Sequence, residues 1–149
     1  MKIIEFLEDK KEGIIKDSWN KLDQTRLIHY QNKDAGEIKK RIRVFYEKIE
    51  ECIKMQNLAP ITDYAKKVAE ERYYAGYDLG EVQTAFNCVE EVIWQKIFHL
   101  LAADDFAPAI SLISTITGSA KDNLARKYVL LVSKTSIPVV DLKELSGYF

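Results

Sequence analysis

Cysteine, proline and glycine are all scarce in this chain of 149 residues, which has two, three and six of them respectively. Cys52 and Cys88 are too few for a disulfide framework and lack the paired spacing of a zinc site, so a reducing cytoplasm suits both. With so little proline and glycine, long charged-and-apolar segments run without punctuation, and the chain reads as helical nearly throughout. No uncharged run approaches the roughly 20 residues that a spanning helix needs. The opening MKIIEFLEDKKEG interrupts its apolar residues with Glu5, Glu8 and Asp9, which argues against a signal peptide and a membrane anchor. Charge of one sign is missing too: the formal net charge is -1, and long-range electrostatics selects neither nucleic acid nor a membrane surface. No Gly-rich phosphate loop, nucleophile elbow or Cys/His pairing occurs, and the expectation is a protein that is not an enzyme.

What is present is an ordinary globular composition, 47% hydrophobic and 30% charged. A chain of this length is one domain and buries roughly 70% of its unfolded surface, so its core needs no staple. We assign 1–135 to a single helical domain and 136–149 to a tail whose closing VVDLKELSGYF is apolar enough to dock on the body or on a partner chain.

Apolar residues recur at threes and fours, the period of a helix face. Over 3–29 the stripe is loose, through Ile4, Leu7, Ile14, Ile15, Ser18, Trp19 and Leu22, and is expected to bend or split near Gly13. A polar stretch over 30–34 supplies a loop. From Ala35, Ile38, Ile42, Phe45, Ile49, Cys52 and Gln56 form one face of a second helix. Pro60 opens the third, where its missing N–H is no loss. The third helix carries Ile61, Tyr64, Ala65 and Val68, and then Arg72 enters the apolar register. The fourth holds Val82, Phe86, Val89, Ile93, Ile97 and Leu100, with Trp94 beside them. A fifth is expected to be capped by Asp104 or Asp105, to tolerate Pro108 in its first turn and to end before residue 136. Its positions Phe106, Ile110, Ile113, Thr117, Ala120, Leu124, Tyr128 and Leu131 come close to a heptad. Ser111, Ser114, Gly118 and Ser119 are small residues where another helix can approach, and self-association is expected there.

The most legible piece is the hairpin over 64–94. Gly76 is a natural helix stop, because it takes positive φ without steric cost. Asp78 and Glu81 read as a capping box that starts the next helix. A connection this short is expected to make the two helices antiparallel neighbours. Arg72 then needs an acceptor, for which Glu81 and Glu90 on the facing helix are the candidates. Either Arg72 fixes the hairpin as an ion pair, or it points into a pocket and holds an anion. Tyr73, Tyr74 and Tyr77 cluster around it and suit core or pocket equally.

The segment AEERYYAGYDLGEVQTAF over 69–86, with Arg72, Gly76, Tyr77, Leu79, Glu81, Val82 and Phe86 in place and Trp94 following, resembles the N-terminal domain family of RsbR- and RsbRD-type stressosome proteins, which also precedes some sensor histidine kinases. The resemblance implies an all-α, globin-like bundle of about five main helices, without haem, acting as a dimeric sensory head in bacterial stress signalling. It implies protein partners of a STAS or kinase kind. With no such domain before Phe149, the output domain is expected on another polypeptide.

Site chemistry beyond this is thin. A globin-type haem would need a proximal histidine, and His99 is the candidate, although a histidine near a helix C-terminus is already explained by the dipole. His29, beside the polar loop, is the poorer ligand. Phosphotransfer is disfavoured because Leu100 and Leu101 are expected to crowd His99. Glu70, Glu71, Glu90 and Glu91 lack the Glu-x-x-His spacing of di-iron bundles and read as solvated faces. The basic run Lys39, Lys40, Arg41, Arg43 is offset by Glu37, Glu47, Glu50 and Glu51 and reads as a solvated face rather than a nucleic-acid site. The expected function is a non-catalytic, cytoplasmic signal-transduction domain without cofactor, working through protein contacts as a homodimer. The alternative is a globin-like sensor with haem or a small hydrophobic molecule in its core.

Overall fold

The computed structural model describes residues 3–135, and these are all-α. Five long helices and one short one follow in order: α1 (Ile3–Gln24), α2 (Ile28–Gln31), α3 (Ala35–Met55), α4 (Ala59–Tyr74), α5 (Leu79–Leu100) and α6 (Ala103–Thr135). No helix among them is long and apolar enough to cross a membrane. The tail expected to dock, 136–149, lies outside the described residues.

The long helices close a ring in which α1 packs on α3, α3 on α4, α4 on α6, α6 on α5, and α5 back on α1. The predicted stripes fill its centre. Leu7, Ile14 and Leu22 of α1, Ile49 of α3, Ile61 of α4, Ile93 and Ile97 of α5, and Ile113 and Leu124 of α6 are all fully enclosed. Deleting such a side chain to alanine in a close-packed core costs about 2–5 kcal/mol.

Four expectations are corrected. The hairpin helices α4 and α5 are not close-packed neighbours: each packs against α6, and the Tyr64 and Phe86 rings, with centroids 6.3 Å apart, lie between them. A short turn constrains where two helices meet but leaves the angle between them to the rest of the core. Helix α1 runs unbroken through Gly13, and the chain turns instead at Arg26, whose φ of 54° is left-handed. Tyr30, placed in a loop from sequence, is a buried residue of α2. Helix α6 begins at Ala103, with the Asp105 N–H on the Ala102 carbonyl at 2.9 Å, so Asp104 and Asp105 lie in the first turn and complement the dipole there rather than capping it.

The heptad-like stripe of α6 is consumed within the chain. Ile113, Thr117, Ala120, Leu124, Tyr128 and Leu131 are buried, and Ser119 Oγ lies 3.2 Å from Thr62 Oγ1 of α4. Of the small residues, Ser119 thus faces α4, whereas Ser111 is exposed and Gly118 has open space where a side chain would sit. Exposed apolar residues sit elsewhere on α6, at Val129, Leu130 and Val132 near its C-terminal end.

Candidate functional site

The site grows from the α4–α5 turn. Tyr77 N–H donates to the Arg72 carbonyl at 2.9 Å and Gly76 N–H to the Tyr73 carbonyl at 3.1 Å, the paired bonds of a Schellman stop. Gly76 adopts φ 86°, as expected of it. Glu81 then reaches back to the Asp78 N–H at 3.0 Å, one arm of the capping box, while its own N–H meets the Asp78 carbonyl at 3.1 Å.

This turn delivers Tyr77 inward, where it is 5% exposed. Its ring stacks on His29 at 4.5 Å and takes the edge of Tyr30 at 5.4 Å. Two guanidiniums lie against the same ring, Arg41 with Cζ at 5.9 Å from the centroid and Arg72 at 5.7 Å, within cation–π range. Arg41 Nη1 also donates to the Tyr77 hydroxyl at 3.0 Å. The Tyr77 carbonyl accepts from the Tyr128 hydroxyl of α6 at 3.1 Å. Burial raises the Tyr30 phenol, against the pull of Arg72, and burial carries Tyr64 and Tyr128 to about 12, so all three are neutral donors at neutral pH.

Arg72 does not find the acceptor expected of it. Glu81 is held by His29, whose Nδ1 lies 2.8 and 2.9 Å from its two carboxylate oxygens. Burial raises the Glu81 carboxyl, but the Asp78 N–H and His29 outweigh it and hold the group below the usual range. Glu90 is committed to α6, where Thr117 donates to it and Lys121 pairs with it at 2.9 Å. Because α4 and α5 diverge, neither carboxylate lies across from Arg72. The guanidinium instead meets Glu71 at 3.4 Å, a carboxylate whose side chain is 56% exposed, and its charge acts on the nearby Tyr30 phenol.

Arg41 and Arg72 together wall a cavity of about 30 Å³, lined behind them by Tyr30, Phe45, Tyr64 and Phe86. The same two arginines floor an open groove of about 570 Å³ between α3 and α4, edged by Lys40, Val44, Lys48, Asp63 and Lys67. The cavity has room for about one or two water molecules. His99 does not line it and lies exposed, flanked by the exposed Phe98 and Leu100, so the expected crowding of His99 is absent. Among the described residues no group of three or more His, Cys, Asp or Glu is placed to hold a metal ion.

Glu90 also corrects the reading of the paired acids as solvated faces, since it is only 4% exposed, whereas Glu70 and Glu91 pair at the surface with Lys127 and Lys21. The basic run of α3 is likewise divided: Arg43 pairs with Glu12 at 2.6 Å, Lys39 lies over Trp19, and Arg41 turns inward.

Of the residues singled out from sequence, the structure gathers Arg72, Gly76, Tyr77, Asp78 and Glu81 at one end of the ring and leaves His99 apart. The sequence reading missed His29, Tyr30, Arg41 and Tyr128. A signal existed for Arg41: it lies three residues after Ile38 and four before Phe45, as anomalous in its apolar register as Arg72.

The family profile described as histidine kinase N terminal matches residues 1–118. No curated protein and no solved structure matches the chain. With that match spanning most of its length, the chain belongs to the histidine kinase N-terminal family, a family of sensory N-terminal domains in signal transduction.

Proposed function

We propose that this domain is a non-catalytic input module that passes its signal on through protein contacts made by the end of α6. The observation that carries this reading is the pairing of Tyr77 with Tyr128. One residue lies among the partly buried arginines, and the other sits directly before the exposed Val129 and Leu130. Exposed valine and leucine side chains grouped at a helix end are an association surface in character. The reading includes self-association as a homodimer through this end of α6, rather than through the stripe of small residues, and a kinase or STAS-domain protein as the output partner. The family membership supports a kinase partner, and the RsbR-like hairpin motif supports the stressosome variant of the same role. A cytoplasmic setting agrees with the two buried, unbridged cysteines.

Oxidative cross-linking tests it. Because Cys52 and Cys88 are buried, Leu130→Cys introduces the one exposed thiol among the described residues. The expected result is a covalent dimer at micromolar protein under mild oxidant, absent from a Lys16→Cys control on α1. Equal, slow cross-linking of both variants would remove the proposed surface.

A further inference from the structure

Two arginines set against one tyrosine ring, with only solvent-facing carboxylates beside them, form an incomplete electrostatic arrangement. Arg41 meets Glu37 at 3.5 Å and Arg72 meets Glu71 at 3.4 Å, both at the long end of the range, and those carboxylates are 49% and 56% exposed. The guanidinium side chains themselves are only 21% and 12% exposed. A partly desolvated cation is stabilised by a close, hydrogen-bonded anion far more than by one that water screens. The chain has carboxylates that would serve, but Glu81 and Glu90 are each occupied elsewhere.

The surroundings favour an anion from outside. The groove that reaches the two guanidiniums is lined by five cationic side chains, Lys40, Arg41, Lys48, Lys67 and Arg72, against three carboxylates, Glu37, Asp63 and Glu71. This excess stands out in a chain whose net charge is -1. Behind the guanidiniums the wall is aromatic and aliphatic, with the Tyr30 and Tyr64 rings facing the cavity. The planar fork of arginine matches the two oxygens of a carboxylate or phosphate, and a pair of forks on adjacent helices matches a single oxyanion head.

The geometry points to an oxyanion-binding site, in which Arg41 of α3 and Arg72 of α4 hold the carboxylate or phosphate head of a small organic molecule whose body lies in the α3–α4 groove. The tyrosine hydroxyls are supplementary donors to the head, and Val44, Tyr64 and Val68 form the apolar side of the groove against which the body rests. This would be the ligand class of the input module. It rests on the sensory reading for its purpose, while its test is a binding measurement that needs no partner, so its failure would leave the cross-linking result untouched.

The test is titration of the whole chain with sodium phosphate and, separately, sodium benzoate, each against sodium chloride at matched ionic strength. The readout is the Nε–Hε resonances of the arginines in ¹H–¹⁵N spectra. The expected result is a saturable shift of the Arg41 and Arg72 signals with at least one of the two anions. A phosphate response identifies a phosphate head, and a benzoate response a carboxylate with an apolar body. Arg41→Gln and Arg72→Gln should each weaken binding at least about tenfold, as should Arg41→Lys and Arg72→Lys, which keep the charge and lose the fork. Arg126→Gln, at a 75% exposed side chain, should bind as the parent does. Shifts no larger than those given by chloride for both anions, or parental affinity in folded Arg41 and Arg72 variants, would overturn the proposal.

Discussion

The Tyr128 hydroxyl donates to the Tyr77 carbonyl across 3.1 Å, joining the turn between α4 and α5 to the last third of α6. The bond spans 51 residues of sequence and is buried. It gives the arginine-lined end of the ring a direct mechanical connection to the helix whose end carries exposed apolar residues.

Tyr128→Phe keeps the ring contact with Tyr73 and removes only this donor. A buried carbonyl left without its partner costs about 1–2 kcal/mol, which for a domain of this size lowers Tm by about 2–6 °C. Thermal unfolding followed by circular dichroism checks it.

Gly76→Ala is expected to cost about 1–2 kcal/mol, since only backbone conformation is at stake. A Cβ there would meet nothing nearer than His29 Nε2 at 3.9 Å, while φ stays at 86°. Chemical denaturation should show a lower midpoint with an unchanged m-value.

Stability should fall on acidification in part through Glu81. Its carboxyl is held below the ordinary glutamate value, so its contribution is present above that value and is lost as pH falls through the lower folded-state one. Glu81→Gln should flatten the decline of Tm between pH 5 and pH 3 relative to the parent, and an unaltered decline would show that other carboxylates govern it.

The buried Glu90 makes Lys121 more important than its surface position suggests. Lys121→Met leaves Glu90 4% exposed and without its cation, at a cost of about 2–3 kcal/mol, tempered because the lysine side chain is 30% exposed. The double variant Glu90→Leu with Lys121→Met should recover most of that loss, measured as a double-mutant cycle in denaturant midpoint.

Much of the helical organisation was legible because helix faces are local: the three-and-four spacing of Ile38, Ile42, Phe45 and Ile49, or of Val82, Phe86 and Val89, is written in adjacent turns. The Gly76 stop and the Glu81 arm of the cap were legible for the same reason. The α1 turn was missed because Arg26 adopts a left-handed φ that no glycine or proline announces. Glu81 and Glu90 are acceptor candidates for Arg72 only if α4 and α5 face each other, whereas the partner of Glu81, His29, lies 52 positions away and reaches it through the ring closure of the bundle. The same closure sets α6 between α4 and α5, which draws Glu90 inside and turns Ser119 toward α4.

Arg72→Leu discriminates the two roles open to that residue. With only the exposed Glu71 as its carboxylate, Arg72 contributes little as an ion pair, and the variant is expected to change stability by less than about 1 kcal/mol in anion-free buffer. A loss of about 3 kcal/mol or more would make Arg72 a structural residue.

Events at Arg41 and Arg72 are expected to be felt at the end of α6 through Tyr77 and Tyr128. Hydrogen exchange of the amides over 128–135 tests it most directly, comparing the parent, Arg72→Gln, Tyr128→Phe and the double variant. Arg72→Gln is expected to change exchange there by at least about threefold, and the change is expected to disappear when Tyr128 is phenylalanine. Exchange over 128–135 that ignores Arg72→Gln, or responds to it equally with and without the Tyr128 hydroxyl, would contradict it.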